Sequence, residues 1–172
     1  MRWLAITGYM GAGKTAVGRR VASRLGWDFT DADRAIEIHA GMPIPDIFAK
    51  RGELWFRRTE EDVIREILGE DPPGVLALGG GALASARTRG LLERRALVVW
   101  LHVSLDIAWR RVAGSARPLA TDRERFERRA LEREPVYRAA ADLAVDADGP
   151  VDEVAARVAA WAMTRTAPEA AG

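Results

Sequence analysis

The chain has 172 residues, of which 48% are apolar and 30% charged; that fits one folded domain of ordinary size and excludes a disordered polar tract. Its 26 basic and 25 acidic residues leave a net charge of +1, so no single-sign field points to nucleic acid or a membrane surface. Cysteine is absent and His39 and His102 are the only imidazoles, which excludes disulfides, cysteine nucleophiles and thiolate zinc sites and argues against a multi-histidine metal centre.

The first apolar run, Trp3–Thr7, predicts a buried strand and is too short for a signal peptide or a membrane span. No other run is long enough to cross a bilayer, and a soluble, cytoplasmic, monomeric protein is expected. The strand leads into Gly8-Tyr9-Met10-Gly11-Ala12-Gly13-Lys14-Thr15, which fits Gly-x-x-x-x-Gly-Lys-Ser/Thr and opens a helical pattern over 14–25. Glycines at these positions let backbone N–H groups turn toward one anion, and the helix start adds the positive end of its dipole. Gly11, Ala12, Gly13, Lys14 and Thr15 are therefore candidates for holding the phosphates of ATP or GTP. Lys14 would reach the terminal phosphates and Thr15 would ligate Mg²⁺ through its hydroxyl. Of the 26 basic residues, 24 are Arg and two are Lys, Lys14 and Lys50.

A weaker strand is expected at 27–30, ending at Asp31-Ala32-Asp33. A strand-end Asp can hold a Mg²⁺ shell, and a second can accept a proton from an attacking hydroxyl. Asp33 could equally be the N-cap of a helix over 34–41. Helical patterns follow at 33–41, 44–50 and 53–69. In the last, Phe56, Val63, Ile64, Ile67 and Leu68 form the apolar stripe, Glu60 projects onto its middle and Arg57 inside it. Arg57 and Glu60 should thus be partly buried and paired, either as an internal ion pair or as a way to aim an Arg fork at a ligand carboxylate.

A buried strand at 75–78 ends in Gly79-Gly80-Gly81, which allows a ligand to touch bare backbone or makes a tight turn. Helix 85–94, strand 97–103 and helix 104–112 follow. The segment 117–138 holds seven Arg and five acidic residues, read as a flap followed by an ion-paired helix over 122–133. Strand 143–145, helix 151–163 and a frayed tail over 166–172 complete the chain. Strands alternating with helices predict an α/β fold with a parallel sheet covered on both faces. One domain over 1–165 is expected.

These motifs resemble the shikimate kinases, small P-loop kinases related to nucleoside monophosphate kinases. The resemblance rests on the 8–15 loop, Asp-Ala-Asp at 31–33, Gly-Met-Pro-Ile-Pro-Asp-Ile-Phe at 41–48, Gly-Glu-Leu-Trp-Phe-Arg-Arg-Thr-Glu at 52–60, Leu-Gly-Gly-Gly-Ala at 78–82, Arg-Pro-Leu at 117–119 and Val-Tyr-Arg at 136–138. It implies a three-layer P-loop kinase fold, a five-stranded parallel sheet in the order 2-3-1-4-5, and transfer of the γ-phosphoryl of ATP to the 3-hydroxyl of shikimate. It also implies roles. Asp33 would hold the reacting hydroxyl and take its proton. Arg57 and Arg138 would clamp the substrate carboxylate, with Glu60 orienting Arg57 and with Gly80 and Gly81 offering backbone. Asp31 would support Mg²⁺, Arg117 would descend on the phosphates from a mobile lid at 113–122, and Arg111 would flank adenine. Phe48 and Phe56 would wall an acceptor region spanning 31–62. Ala120 and the 146–149 loop depart from the family pattern, so no base-binding residue is assigned in that loop. The alternatives are a kinase for another small hydroxy-acid or polyol such as gluconate and, more remotely, a nucleotide switch without kinase turnover.

Overall fold

Strand β1 (Trp3–Thr7) has all five side chains buried, which requires cover on both faces of the sheet that contains it. That sheet, in a computed structural model that describes residues 2–71, 74–113 and 122–166, is completed by β2 (Asp28–Asp31), β3 (Gly74–Ala77), β4 (Ala96–His102) and β5 (Leu143–Asp146). Every pairing is parallel and the order is β2-β3-β1-β4-β5, as the family resemblance implies. Central β1 is in register with both neighbours, Leu4 lying beside Val75 and Leu97. All the strands therefore end at one edge, where the loops after β1, β2 and β3 carry the residues singled out above.

The helices are α1 (Lys14–Leu25), α2 (Ala32–Ala40), α3 (Ile44–Gly69), α4 (Ala86–Arg95), α5 (Leu105–Val112), α6 (Arg123–Ala140) and α7 (Val151–Thr166), with a 3₁₀ turn at Ala82–Ala84. Helices α1 and α7 pack on each other, while α4 and α6 pack on β4. The expected boundary between helices 44–50 and 53–69 survives as a break inside α3, where Gly52 adopts φ 80° and ψ 169°. Trp3 and Trp100 are buried, and the other four Trp pack partly buried against the core. No described helix is long and apolar enough to cross a membrane.

One element departs from expectation. Helix α6 continues through Pro135 to Ala140 instead of ending near 133. Proline deletes one helical hydrogen bond, to the carbonyl four residues back, and crowds that carbonyl. Here that residue is Leu131, which is 58% exposed, so water can serve the orphaned oxygen. Beyond the proline, Tyr137 is buried on the same stripe as Phe126 and Ala130, and this packing carries the helix onward.

The start of β3 is tightly packed. A Cβ on Gly74 would fall 2.2 Å from the Trp3 ring, which is buried and donates from Nε1 to the Glu70 carbonyl at 3.3 Å. Gly74→Ala should therefore lower stability by about 1–3 kcal/mol, measured as a reduced urea midpoint with an unchanged m-value. An unchanged midpoint would mean that Trp3 shifts freely.

Candidate active site

The loop between β1 and α1 is shaped by three glycines with positive φ, Gly8 at 145°, Gly11 at 85° and Gly13 at 83°. Two are also sterically obligatory: a Cβ would lie 2.6 Å from the Leu101 carbonyl oxygen at Gly8 and 2.5 Å from that of Ala108 at Gly11. Gly13 is the N-cap of α1 and supplies no side-chain acceptor, so the first-turn amides are oriented toward an external anion. Lys14 Nζ donates to the carbonyls of Gly8 at 2.9 Å and Tyr9 at 3.2 Å. Arg111 spans the loop's outer side, donating from Nη1 to Gly11 O at 3.1 Å and from Nη2 to Ala147 O at 3.2 Å. It thereby joins the phosphate loop to the turn after β5, in the stretch 146–149.

Beside this loop, Thr15 Oγ1 donates to Asp31 Oδ2 at 2.6 Å. The other oxygen of Asp31 accepts from the amides of Asp33 at 3.0 Å and Arg34 at 3.3 Å. The N-cap of α2 is thus Asp31, which settles the capping alternative raised for Asp33. Thr15 and Asp31 bring two hard oxygen donors together. Among the described residues no group of three or more His, Cys, Asp or Glu could hold a metal ion by itself.

The glycine triplet after β3 forms the floor of a second, charged region. A Cβ on Gly79 would lie 2.7 Å from Asp33 Oδ1 and 2.8 Å from Glu60 Oε1, and one on Gly81 would lie 2.6 Å from Arg57 Nη1. Asp33, Glu60 and Arg57 therefore converge where these residues lack side chains. Glu60 is 3% exposed and accepts from Arg57 Nη1 at 2.7 Å. Burial pushes the Glu60 carboxyl above its ordinary value, and the adjacent Arg57 guanidinium only partly opposes this. Phe48 and Phe56 stack with centroids 4.7 Å apart, and Arg57 Cζ lies 5.1 Å above the Phe56 ring.

Arg138 is not brought to this floor. Its Nη2 donates to Glu134 Oε1 at 2.7 Å, Cζ lies 5.5 Å over Trp100, and the side chain is 69% exposed. The guanidinium that joins Arg57 at the triplet is that of Arg133, whose Nη1 donates to Gly80 O at 3.1 Å and whose Cζ lies 5.7 Å over the Tyr9 ring. Five residues along a helix turn the side chain by about 140°, so both arginines cannot face the same site. The sequence held a usable cue, since Arg133 shares the stripe of Phe126, Ala130 and Tyr137. Arg117 and residues 114–121 of the expected lid lie outside the described residues. His39 and His102 are both exposed.

The family model for shikimate kinase matches residues 10–162. A shikimate kinase of Nitrobacter winogradskyi is 48% identical over 143 residues, 81% of this chain and 66% of that protein. One of Salinibacter ruber is 41% identical over 166 residues, 89% of this chain and 80% of that protein. Among solved structures, shikimate kinase from Acinetobacter baumannii in complex with shikimate has a TM-score of 0.90 at 34% identity, covering 98% of this chain and 96% of that one. A gluconokinase from Sinorhizobium meliloti shares the fold at a TM-score of 0.59 and 19% identity, covering 96% of this chain and 97% of that one.

The raised Glu60 carboxyl has a consequence for stability. A folded-state value above the ordinary 4.5 means the native protein holds that proton more tightly than the unfolded chain. Its contribution is complete below that ordinary value and is lost as pH rises through the folded value. The unfolding free energy of the wild type minus that of Glu60→Gln should therefore shrink from pH 4.5 toward neutrality, in urea titrations at each pH. A difference that grows would show that Arg57 outweighs burial.

Proposed function

The chain belongs to the shikimate kinase family, and from that premise we propose that it transfers the γ-phosphoryl group of ATP to the 3-hydroxyl of shikimate, releasing ADP. The observation that carries this reading is the convergence of Asp33, Arg57, Glu60 and Arg133 on the glycine triplet, beside a loop built for phosphates. A nucleotide switch has no use for a pocket holding two carboxyl and two guanidinium groups. A small acid with hydroxyls does.

In this reading the acceptor region at 31–62 and the triplet hold the acid. Arg57 and Arg133 grip its carboxylate; Arg133 takes the place assigned above to Arg138, because Arg133 is the side chain that reaches Gly80. Glu60 fixes the Arg57 fork by the 2.7 Å hydrogen bond. Asp33 holds the reacting hydroxyl. A bond forms from that oxygen to the γ-phosphorus, the bond to the β–γ bridging oxygen breaks, and the hydroxyl proton passes to Asp33 and on to solvent. Lys14 exchanges its two loop carbonyls for phosphate oxygens. Thr15 and Asp31 fit Mg²⁺, which favours one or two carboxylates with hydroxyl and phosphate oxygens. When bound, Mg²⁺ supplies charge that offsets the phosphate oxygens. Arg111 walls the nucleotide side, and Arg117 would complete the phosphate contacts from the lid at 113–122. Most of the catalytic effect is positioning and charge stabilisation.

Two measurements test the reading. With ATP and Mg²⁺, ADP release should appear with shikimate and not with gluconate, quinate or nucleoside monophosphates, and Lys14→Met should abolish it. Turnover with gluconate but not shikimate would transfer the protein to the sugar-acid alternative.

The clamp is tested separately. Loss of a charge-assisted contact to the carboxylate costs about 1.5–3 kcal/mol, so Arg133→Ala should raise the shikimate KM by about 10- to 150-fold. Arg138→Ala should change it less than about twofold, as expected for an exposed ion pair. The reverse pattern would restore Arg138 to the clamp.

A further inference from the structure

We infer that Tyr137 is a positioning residue for the acceptor clamp: its phenol, bound to the Gly80 carbonyl, holds the glycine floor and Arg133 in one fixed arrangement. The inference deepens the proposed function, since it rests on Arg133 gripping the acceptor carboxylate.

Tyr137 hydroxyl donates to Gly80 O at 2.5 Å, and Arg133 Nη1 donates to the same oxygen at 3.1 Å. The two residues are four apart on α6, hence neighbours on one helix face. Tyr137 is 2% exposed, and its ring lies against Trp100 at 6.3 Å. On the other side the Arg133 guanidinium rests over Tyr9, a residue of the nucleotide loop. Tyr9 is itself pinned: its hydroxyl donates to Phe126 O at 3.1 Å and its ring meets Phe126 edge-on at 4.9 Å. Arg133 is thus held between an aromatic ring of the phosphate loop and a carbonyl of the acceptor floor.

The shared carbonyl explains why a tyrosine is useful here. A carbonyl oxygen accepts two hydrogen bonds and a guanidinium offers five N–H donors. The phenol supplies one bond to Gly80 O and also pairs with the Arg133 side chain, so the guanidinium is fixed by the carbonyl and the hydroxyl together. Without the phenol, Gly80 O would draw on Arg133 alone. Burial raises the Tyr137 hydroxyl to about 12, with the Arg133 charge acting in the opposite direction, so the phenol remains a donor at working pH.

Tyr137→Phe removes the hydroxyl and keeps the ring. With shikimate and ATP as substrates, the shikimate KM should rise about 3- to 10-fold, the scale of one neutral hydrogen bond. The ATP KM and kcat should stay within about twofold, and the thermal midpoint within about 4 °C. In the Arg133→Ala background the same change should leave the shikimate KM unaltered, because the residue being positioned is gone. An unchanged shikimate KM in Tyr137→Phe overturns the inference while leaving the clamp intact. So does a parallel loss of both KM values, kcat and thermal midpoint, which marks a packing role. If Arg133→Ala leaves the shikimate KM unchanged, the clamp reading fails first and the inference falls with it. Tyr137→Leu, which also deletes the ring, should lower the thermal midpoint as well and so separates packing from positioning.

Discussion

A carboxylate taken out of water needs a partner, and Glu60 imposes that requirement on the whole acceptor side. Its helix buries it on the apolar stripe, so Arg57, one turn earlier, must turn inward to meet it at 2.7 Å. Once both charges stand there, the strand end beneath them has no room for side chains. Gly79 and Gly81 follow from that crowding, since a Cβ at either position would collide with Asp33, Glu60 or Arg57. Such a pair contributes little net stability, because desolvation offsets most of the attraction. What it secures is direction. Arg57 is held through Nη1 by Glu60, with Nη2 3.5 Å from the exposed Glu53, and its fork lies over a floor of bare backbone.

The phosphate loop and the acceptor floor hang from adjacent strands, β1 and β3, and α6 bridges them. At its start Phe126 receives Tyr9 of the loop, and near its end Arg133 and Tyr137 reach Gly80 of the floor. The helix begins directly after residues 114–121, where the sequence places the lid. An element that touches the loop, the floor and the base of the expected lid gives phosphoryl transfer the fixed distances it depends on, since there is little other covalent work for the protein to do.

Local physics was legible in the sequence, and long-range placement was not. The β1 boundaries, the phosphate loop and the Arg57–Glu60 pair could be read because each depends on spacing within a single turn or helix. The N-cap of α2 was less accessible. Asp31 and Asp33 are both plausible caps, and only the backbone path after β2 makes Asp31 the acceptor. The second clamp was obscured because the helix expected over 122–133 left Arg138 without a helical phase. Tertiary packing of Tyr137 overrode the local preference of Pro135, and the continued phase turns Arg138 outward, whereas Arg133 already shares the stripe of Phe126 and Ala130. Arg111 had no local cue at all, because its partners, Gly11 and Ala147, are set by the packing of β1, α5 and β5.

The imbalance of 24 Arg to two Lys acquires meaning through geometry. Arg111 bridges two carbonyls on different loops, and Arg57 binds Glu60 at 2.7 Å while approaching Glu53 at 3.5 Å. Each task requires a planar fork with donors at separate corners, which an ammonium lacks. Lys14 has the opposite task. Its compact charge rests on two carbonyls of its own loop, weak neutral partners that a phosphate can outbid without rearranging the backbone. A guanidinium there would present its donors in a broad planar fork instead of one compact, rotatable charge. Lys50, paired with Asp46 at 3.4 Å on the surface, carries no such demand. Basic residues in this protein are therefore divided by whether the partner must be held or exchanged, and the phosphate loop is where exchange is needed.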